Sequence, residues 1–162
     1  MSVNIRLATL ADALPLARLR YEFRAASGET LEREREFVSR CAEWMTERLK
    51  GGGAWRCWVA EDEAQLIGNV WLQLIEKIPN PAPEPERHAY LTNLFVREAA
   101  RGRGVGSALL TAALACCAAC GVHAIILWPT ERSRPLYLRH GFSAPADMFA
   151  SYIGGPKSTH RS

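Results

Sequence analysis

The sequence has no internal repeat, no signal-peptide pattern and no concentration of charge of one sign. Each absence narrows the reading. With no repeat, a chain of 162 residues defaults to one domain, long enough to bury a sizeable core. The segment Ile5 to Leu14 carries Arg6 and Asp12 and has no long apolar centre, so a cytoplasmic protein is expected. Net charge is only +3 and the basic residues are scattered, so nucleic acid is not an expected partner. One stretch, Val105 to Trp128, lacks Asp, Glu, Lys and Arg and is long enough to span a bilayer. Gly121 and His123 interrupt it, and its composition turns from helical to strand-like at Val122. A buried helix followed by a buried strand is therefore expected, and no membrane.

Cysteine is present but not in patterns that carry chemistry. There are five, Cys41, Cys57, Cys116, Cys117 and Cys120, an odd number that points to reduced thiols. Cys117 and Cys120 have the C-x-x-C spacing, but no second pair completes a zinc site. They fall at the end of the expected helix, where the dipole does not lower a thiol pKa. Small core residues are the expected role, with no metal.

What is present is ordinary for a soluble α/β domain: 48% hydrophobic and 23% charged residues. Val3 to Ala8 reads as a strand. Asp12 can cap a helix from Ala13, with Pro15 in the first turn and Leu16, Leu19 and Phe23 on its apolar face. A second helix is expected from about Leu31 to Lys50, with Phe37, Cys41, Trp44, Met45 and Leu49 inward and Gly51 to Gly53 ending it. Trp55 to Glu61 and Gln65 to Ile75 read as an antiparallel hairpin about Asp62-Glu63. The Pro-rich stretch Pro79 to Pro85 reads as a stiff loop within the domain.

The informative stretch runs from Tyr90 to Ser107. Tyr90, Leu91, Leu94, Phe95 and Val96 suit a buried strand; Arg97, Glu98, Arg101 and Arg103 mark an exposed turn; Gly102, Gly104 and Gly106 alternate; Ser107 opens an Ala/Leu-rich helix. Strand, glycine-rich turn and helix are the parts of a phosphate site, since glycines admit close approach and the helix start offers N–H donors. A Walker loop is excluded because no Lys follows the glycines. A dinucleotide fingerprint fits poorly: its third glycine site is Ser107, and the region where its acidic residue belongs, Ala124 to Trp128, is uncharged. A glycine-rich turn with no ligand is the alternative.

Arg101-Gly102-Arg103-Gly104-Val105-Gly106 closely resembles the R/Q-x-x-G-x-G/A motif of the GCN5-related N-acetyltransferases, the GNAT family. Arg134 to Phe142 resembles the family's late helix, which ends L-Y-x-K-x-G-F; Tyr137, Arg139, Gly141 and Phe142 fall on matching positions. The resemblance covers roughly Ile5 to Ile153 and implies the α/β GNAT fold. That fold has a mixed sheet splayed between its fourth and fifth strands and helices on both faces. One domain over residues 1–153 is expected. Late elements are a strand over Val122 to Trp128, a short helix capped by Ser133, a strand beginning at Phe142 and one over Met148 to Ile153. Residues 154–162 form an expected disordered tail.

The resemblance also implies site roles. Backbone groups of Leu94 and Val96 should meet the thioester and pantetheine arm of acetyl-CoA. Backbone N–H groups of Arg101, Gly102, Arg103, Gly104, Val105, Gly106 and Ser107 should bind its pyrophosphate. Tyr137 matches the tyrosine beside the thioester sulfur, the expected general acid. Thr130 stands where the family often has an Asn that contacts the cofactor arm. Asn93 stands where an acidic base is frequent, so the pattern does not identify the base; Glu22, Glu76 and His88 are the candidates. Trp71, Gln73, Tyr90 and Thr92 are candidates for an acceptor pocket. The expected activity is acetyl transfer from CoA to a primary amine of a small molecule or peptide. A non-catalytic acyl-CoA-binding module is the alternative, and a homodimer stays open.

Overall fold

The computed structural model describes residues 2–28 and 32–154. The chain divides into two compact units, Met1–Ile126 and Leu127–Ser162. The first carries a five-stranded sheet in the order β1 (Asn4–Leu7), β2 (Trp55–Asp62), β3 (Gln65–Glu76), β4 (Arg87–Val96) and β5 (Val122–Ile126). Every neighbouring pair is antiparallel except β4 and β5, which run parallel. The parallel pair requires a crossover, and α3 (Val105–Ala119) supplies it. Helices α1 (Ala13–Ala25) and α2 (Glu34–Leu49) fill the connection between β1 and β2.

The sheet separates two apolar layers. Leu16 and Leu19 of α1 and Val38 and Met45 of α2 bury against Cys57, Val59, Trp71 and Phe95. These strand positions are cross-strand neighbours and share one face of the sheet. Alternate strand positions face the other way, where α3 lies. A Cβ built on Gly68 would come within 3.3 Å of Leu109 on that helix. The long uncharged run is not the buried helix and buried strand expected: α3 buries one side only, through Val105, Leu109, Leu110, Ala113 and Cys117, while β5 ends at Ile126 and holds no fully buried residue. Among the described residues no helix is long and apolar enough to cross a membrane.

Asp12 directly precedes α1, but its carboxylate does not cap that helix. It turns back to accept from the Thr9 N–H at 2.7 Å and from both terminal nitrogens of Arg6 at 2.8 and 3.0 Å. The Arg6 guanidinium also reaches Glu61 of β2 at 3.1 Å. The expected second helix begins at Glu34; Leu31 lies outside the described residues. The Pro-rich stretch connects β3 to its antiparallel partner β4, with the Lys77 ammonium bound to Glu84 at 2.9 Å.

Among its described residues the second unit holds one short helix, α4 (Arg134–Arg139), with Pro135 in its first turn. Thr130 and Ser133 exchange hydrogen bonds ahead of it: the Thr130 N–H donates to Ser133 Oγ at 2.9 Å and the Ser133 N–H to Thr130 Oγ1 at 3.1 Å. The Ser133 hydroxyl is turned back to Thr130, so the expected side-chain cap of α4 does not form. The strands expected from Phe142 and over Met148 to Ile153 are absent: residues 142–154 are irregular. Pro145 has no N–H to give a ladder, and Phe149 and Ile153 are 98% and 95% exposed. The expected tail, apart from Gly154, lies outside the described residues.

Candidate functional site

The geometry of interest begins where β4 leaves β5. Their ladder runs from Arg87 opposite Val122 to Tyr90 opposite Ile126, and there β5 ends. β4 continues through Leu91 to Val96, paired on its other edge with β3 alone. Past Tyr90 the two strands have parted, as a splayed sheet requires.

Within that released segment β4 carries a bulge. Asn69 of β3 stands opposite Phe95 and Trp71 opposite Thr92, so Asn93 and Leu94 together face the single residue Val70. Asn93 takes φ +54°, a left-handed conformation that Asn tolerates better than most residues. Two side chains hold it. Asn69 Nδ2 donates to the Asn93 carbonyl at 2.9 Å, and Arg20 Nη1, reaching from α1, donates to Asn93 Oδ1 at 3.2 Å.

Beyond Val96 the chain makes a 3₁₀ turn, Glu98–Ala100, and enters the glycine run. Gly104 occupies the position just before α3 with φ +76°, and Gly102 has φ +74°. A Cβ at either would meet no atom within 4 Å, so both present bare backbone to open space. Val105 and Gly106 head the helix, where N–H groups have no acceptor within the helix and the dipole is positive. The two arginines brace this turn. Arg101 Nε donates to the Val96 carbonyl at 2.9 Å, and Arg103 Nη2 donates to Asp62 at the end of β2 at 3.0 Å. Backbone donors, a positive helix end and no side chain in the way fit a pyrophosphate.

The face of the sheet toward α1 and α2 carries the acceptor-side candidates. Gln73 stands opposite Tyr90 and Trp71 opposite Thr92, so all four share that face. The Tyr90 hydroxyl donates to Thr92 Oγ1 at 3.2 Å, while Trp71 Nε1 and His88 Nδ1 are buried without a partner among the described residues. Glu22 lies in a two-bond ion pair with Arg97, Nε to Oε2 at 2.9 Å and Nη2 to Oε1 at 2.6 Å. The Glu22 carboxylate raises the Arg97 pKa, chiefly by hydrogen bonding. Glu76 is exposed at the end of β3, across from Arg87, and by strand alternation it projects from the face of the sheet opposite to Trp71 and Gln73.

In the second unit Tyr137 sits in α4, its ring buried and edge-on to Phe142 at 5.5 Å. Burial pushes its pKa up to about 12, and its hydroxyl makes no hydrogen bond among the described residues. The Thr130 hydroxyl is 2.9 Å from Ser133 Oγ, just ahead of α4.

Three participants gave little sign of themselves in the sequence. Asn69 lies in an apolar run and reads as a break in the pattern. Arg20 and Arg97 read as surface charges. Only the bulge, which depends on the pairing of β3 with β4, reveals what Asn69 and Arg20 hold.

The profile of the Acetyltransferase (GNAT) family matches residues 17–142, a span that contains the glycine turn and α4. Among curated proteins none matches the sequence. Among solved structures, a GCN5-related N-acetyltransferase from Ralstonia eutropha JMP134 is 29% identical, with 94% of this chain and 100% of that chain covered and a TM-score of 0.74. A predicted acetyltransferase with acetyl-CoA from Clostridium acetobutylicum is 21% identical, covering 94% and 97%, with a TM-score of 0.75. Glucosamine-6-phosphate N-acetyltransferase from Arabidopsis thaliana is 15% identical, covering 94% and 99%, with a TM-score of 0.69. The last two show likeness of fold alone.

Proposed function

The chain belongs to the acetyltransferase (GNAT) family and is an acyltransferase, and from that premise we propose that it transfers an acetyl group from acetyl-CoA to a primary amine. The observation that carries this reading is one continuous segment: β4 released from β5, the bulge at Asn93, and the glycine turn into α3. A phosphate-binding turn and an unpaired strand edge thus follow one another, as a long substrate with a pyrophosphate at one end and a thioester at the other requires. The family match runs across both units, so residues 1–153 are proposed to act as one catalytic domain.

In this reading the N–H groups from Arg101 to Ser107 hold the pyrophosphate, and Leu94 and Val96 line the pantetheine arm. The Val96 carbonyl already accepts from Arg101, which keeps turn and strand in register. The Leu94 N–H faces the thioester carbonyl and stabilises the oxyanion that forms when the amine attacks. The amine must arrive neutral, although an alkylamine has a pKa of about 10.4. Glu76, Glu22 and His88 stay the proposed proton acceptors; of these His88 shares the sheet face of Gln73 and Tyr90, while Glu76 lies on the opposite face. Glu22 can serve only by leaving its pair with Arg97. As the tetrahedral intermediate collapses, the carbon–sulfur bond breaks and Tyr137 donates to the departing sulfur. Its raised pKa keeps the hydroxyl protonated at neutral pH. A thiol has a pKa of about 8.5, so full transfer from the tyrosine depends on geometry rather than acidity. Thr130 is proposed to approach the cofactor arm through its backbone, its hydroxyl being engaged with Ser133.

The acceptor is proposed to lie along Trp71, Gln73, Tyr90 and Thr92, as a small amine or a peptide amine. Structures of the same fold are named for a sugar phosphate, a ribosomal-protein alanine and an aminoglycoside, so fold alone does not choose among acceptors. The test of cofactor binding is calorimetry with CoA on Gly104→Asp and Gly106→Asp. Each puts a side chain and a negative charge against the pyrophosphate, and Gly104 would also lose its left-handed freedom. Loss of binding with an unchanged circular dichroism spectrum is expected. Wild-type affinity in both variants rules this turn out as the site.

A further inference from the structure

We infer that Asn69 is a positioning residue for acyl transfer: it orients the Leu94 N–H toward the open edge of β4 by gripping the Asn93 carbonyl. The inference rests on the reading above that acetyl-CoA lies along that edge.

Asn69 is an odd residue for its place. It lies mid-strand in β3, 0% exposed, with Val59 and Phe95 as its cross-strand neighbours. A buried amide is costly unless its polar atoms are used. Here only one is: Nδ2 donates to the Asn93 carbonyl at 2.9 Å, while Oδ1 has no partner among the described residues. Packing does not explain a half-satisfied amide where an aliphatic side chain of similar size would satisfy the pattern.

What the amide does follows from peptide geometry. The Asn93 carbonyl and the Leu94 N–H belong to one planar trans peptide and point in opposite directions. Asn69 stands on β3, so a carbonyl held by it is aimed at β3. The Leu94 N–H is then aimed away from β3, toward the edge from which β5 has already separated at Tyr90. A bulge by itself does not fix this orientation, because residues 93 and 94 stand outside the strand register. Arg20 completes the grip by holding the Asn93 side chain from α1 at 3.2 Å, which restrains the left-handed residue on its other side. One buried amide thus converts a flexible irregularity into a fixed donor.

The test uses acetyl-CoA labelled with ¹³C at the thioester carbonyl and reads the infrared stretch of the bound carbonyl, so no acceptor is needed. Wild-type protein should show the band at lower frequency than free acetyl-CoA, as a hydrogen-bonded carbonyl does. In Asn69→Leu the band should return toward the free value while CoA affinity by calorimetry stays at the wild-type level. Asn69→Ser, whose hydroxyl is too short to reach the Asn93 carbonyl, should behave alike and covers the case in which the leucine variant does not fold. A band that stays shifted in a folded variant with acetyl-CoA bound overturns the inference. Wild-type protein that binds no acetyl-CoA overturns the inference together with the reading beneath it, and the calorimetry tells the two failures apart.

Discussion

Gly68 and Tyr137 show how much depends on single side chains, one by lacking atoms and the other by carrying a hydroxyl. A Cβ on Gly68 would lie 2.8 Å from the Phe95 carbonyl, closer than real Cβ contacts come, and that neighbour is backbone. Gly68→Ala must therefore push β4 away at the foot of its bulge. A loss of about 1–3 kcal/mol is expected by denaturant titration, with lower turnover; unchanged stability means that β4 has slack which this packing does not show. For Tyr137, removal of the hydroxyl alone is informative. Tyr137→Phe keeps the ring against Phe142, so CoA affinity should hold while kcat falls by about tenfold or more. A Phe variant with wild-type kcat, measured where chemistry limits the rate, reduces the residue to packing. The glycines at 102 and 104 were legible as turn residues, and both take positive φ. Asn69 was not: a lone amide in an apolar strand has no local signature, and its meaning comes from a residue 24 positions away.

At the level of elements, α1, the β2–β3 hairpin, α3 and α4 stand where periodicity puts them, although neither Asp12 nor Ser133 caps its helix with its side chain. The turn between β2 and β3 holds a detail that patterning missed. Asp62 pairs with Gln65, so the loop is Glu63-Ala64, and these take φ +48° and +62°. Two consecutive left-handed residues make a type I′ turn, which suits the twist of a hairpin but favours Asn and Gly. Neither is present, so the turn is strained. Ala64→Gly should remove the Cβ clash and add about 1 kcal/mol. Thermal unfolding should shift upward by about 2–4 °C. No gain in Tm would mean that the unfolded chain's added freedom offsets the relief. Asp62 at this turn also receives Arg103, so a firmer hairpin should leave CoA affinity intact or tighten it slightly. The strands expected after Phe142 failed for the opposite reason. Alternating apolar residues can form a strand only where a partner offers a ladder, and the sequence cannot show whether one does.

Across the molecule, the burial of ionisable groups sets the pH range in which the fold holds. Burial alone would raise the Asp12 pKa, but the Arg6 guanidinium and the Thr9 donors outweigh it and hold the carboxyl below its usual value. A carboxyl depressed in the folded state contributes stability that is fully present above its unfolded pKa of about 3.9 and is lost as pH falls through the folded value. At the other limit, burial first and the Asp12 carboxylate second push the Cys57 thiol well up. The unfolded chain ionises that thiol at about 8.5 while the native state keeps its proton, so stability falls as pH rises beyond that point. A dome is therefore expected, flat from about pH 5 to 8 and falling on both sides. The two limbs have separate owners. Asp12→Asn should cost about 1.5–3 kcal/mol at pH 7, since it breaks charged hydrogen bonds linking β1 to the start of α1. That deficit should shrink as pH falls below 4, where the wild-type carboxyl is also losing its charge. Cys57→Ala should be less stable at neutral pH but show a shallower decline above pH 8.5. Urea titrations of the three proteins from pH 3 to 10 decide the matter. A deficit for Asp12→Asn that is constant down to pH 3, or an alkaline limb of equal slope in Cys57→Ala, removes the corresponding group from the account.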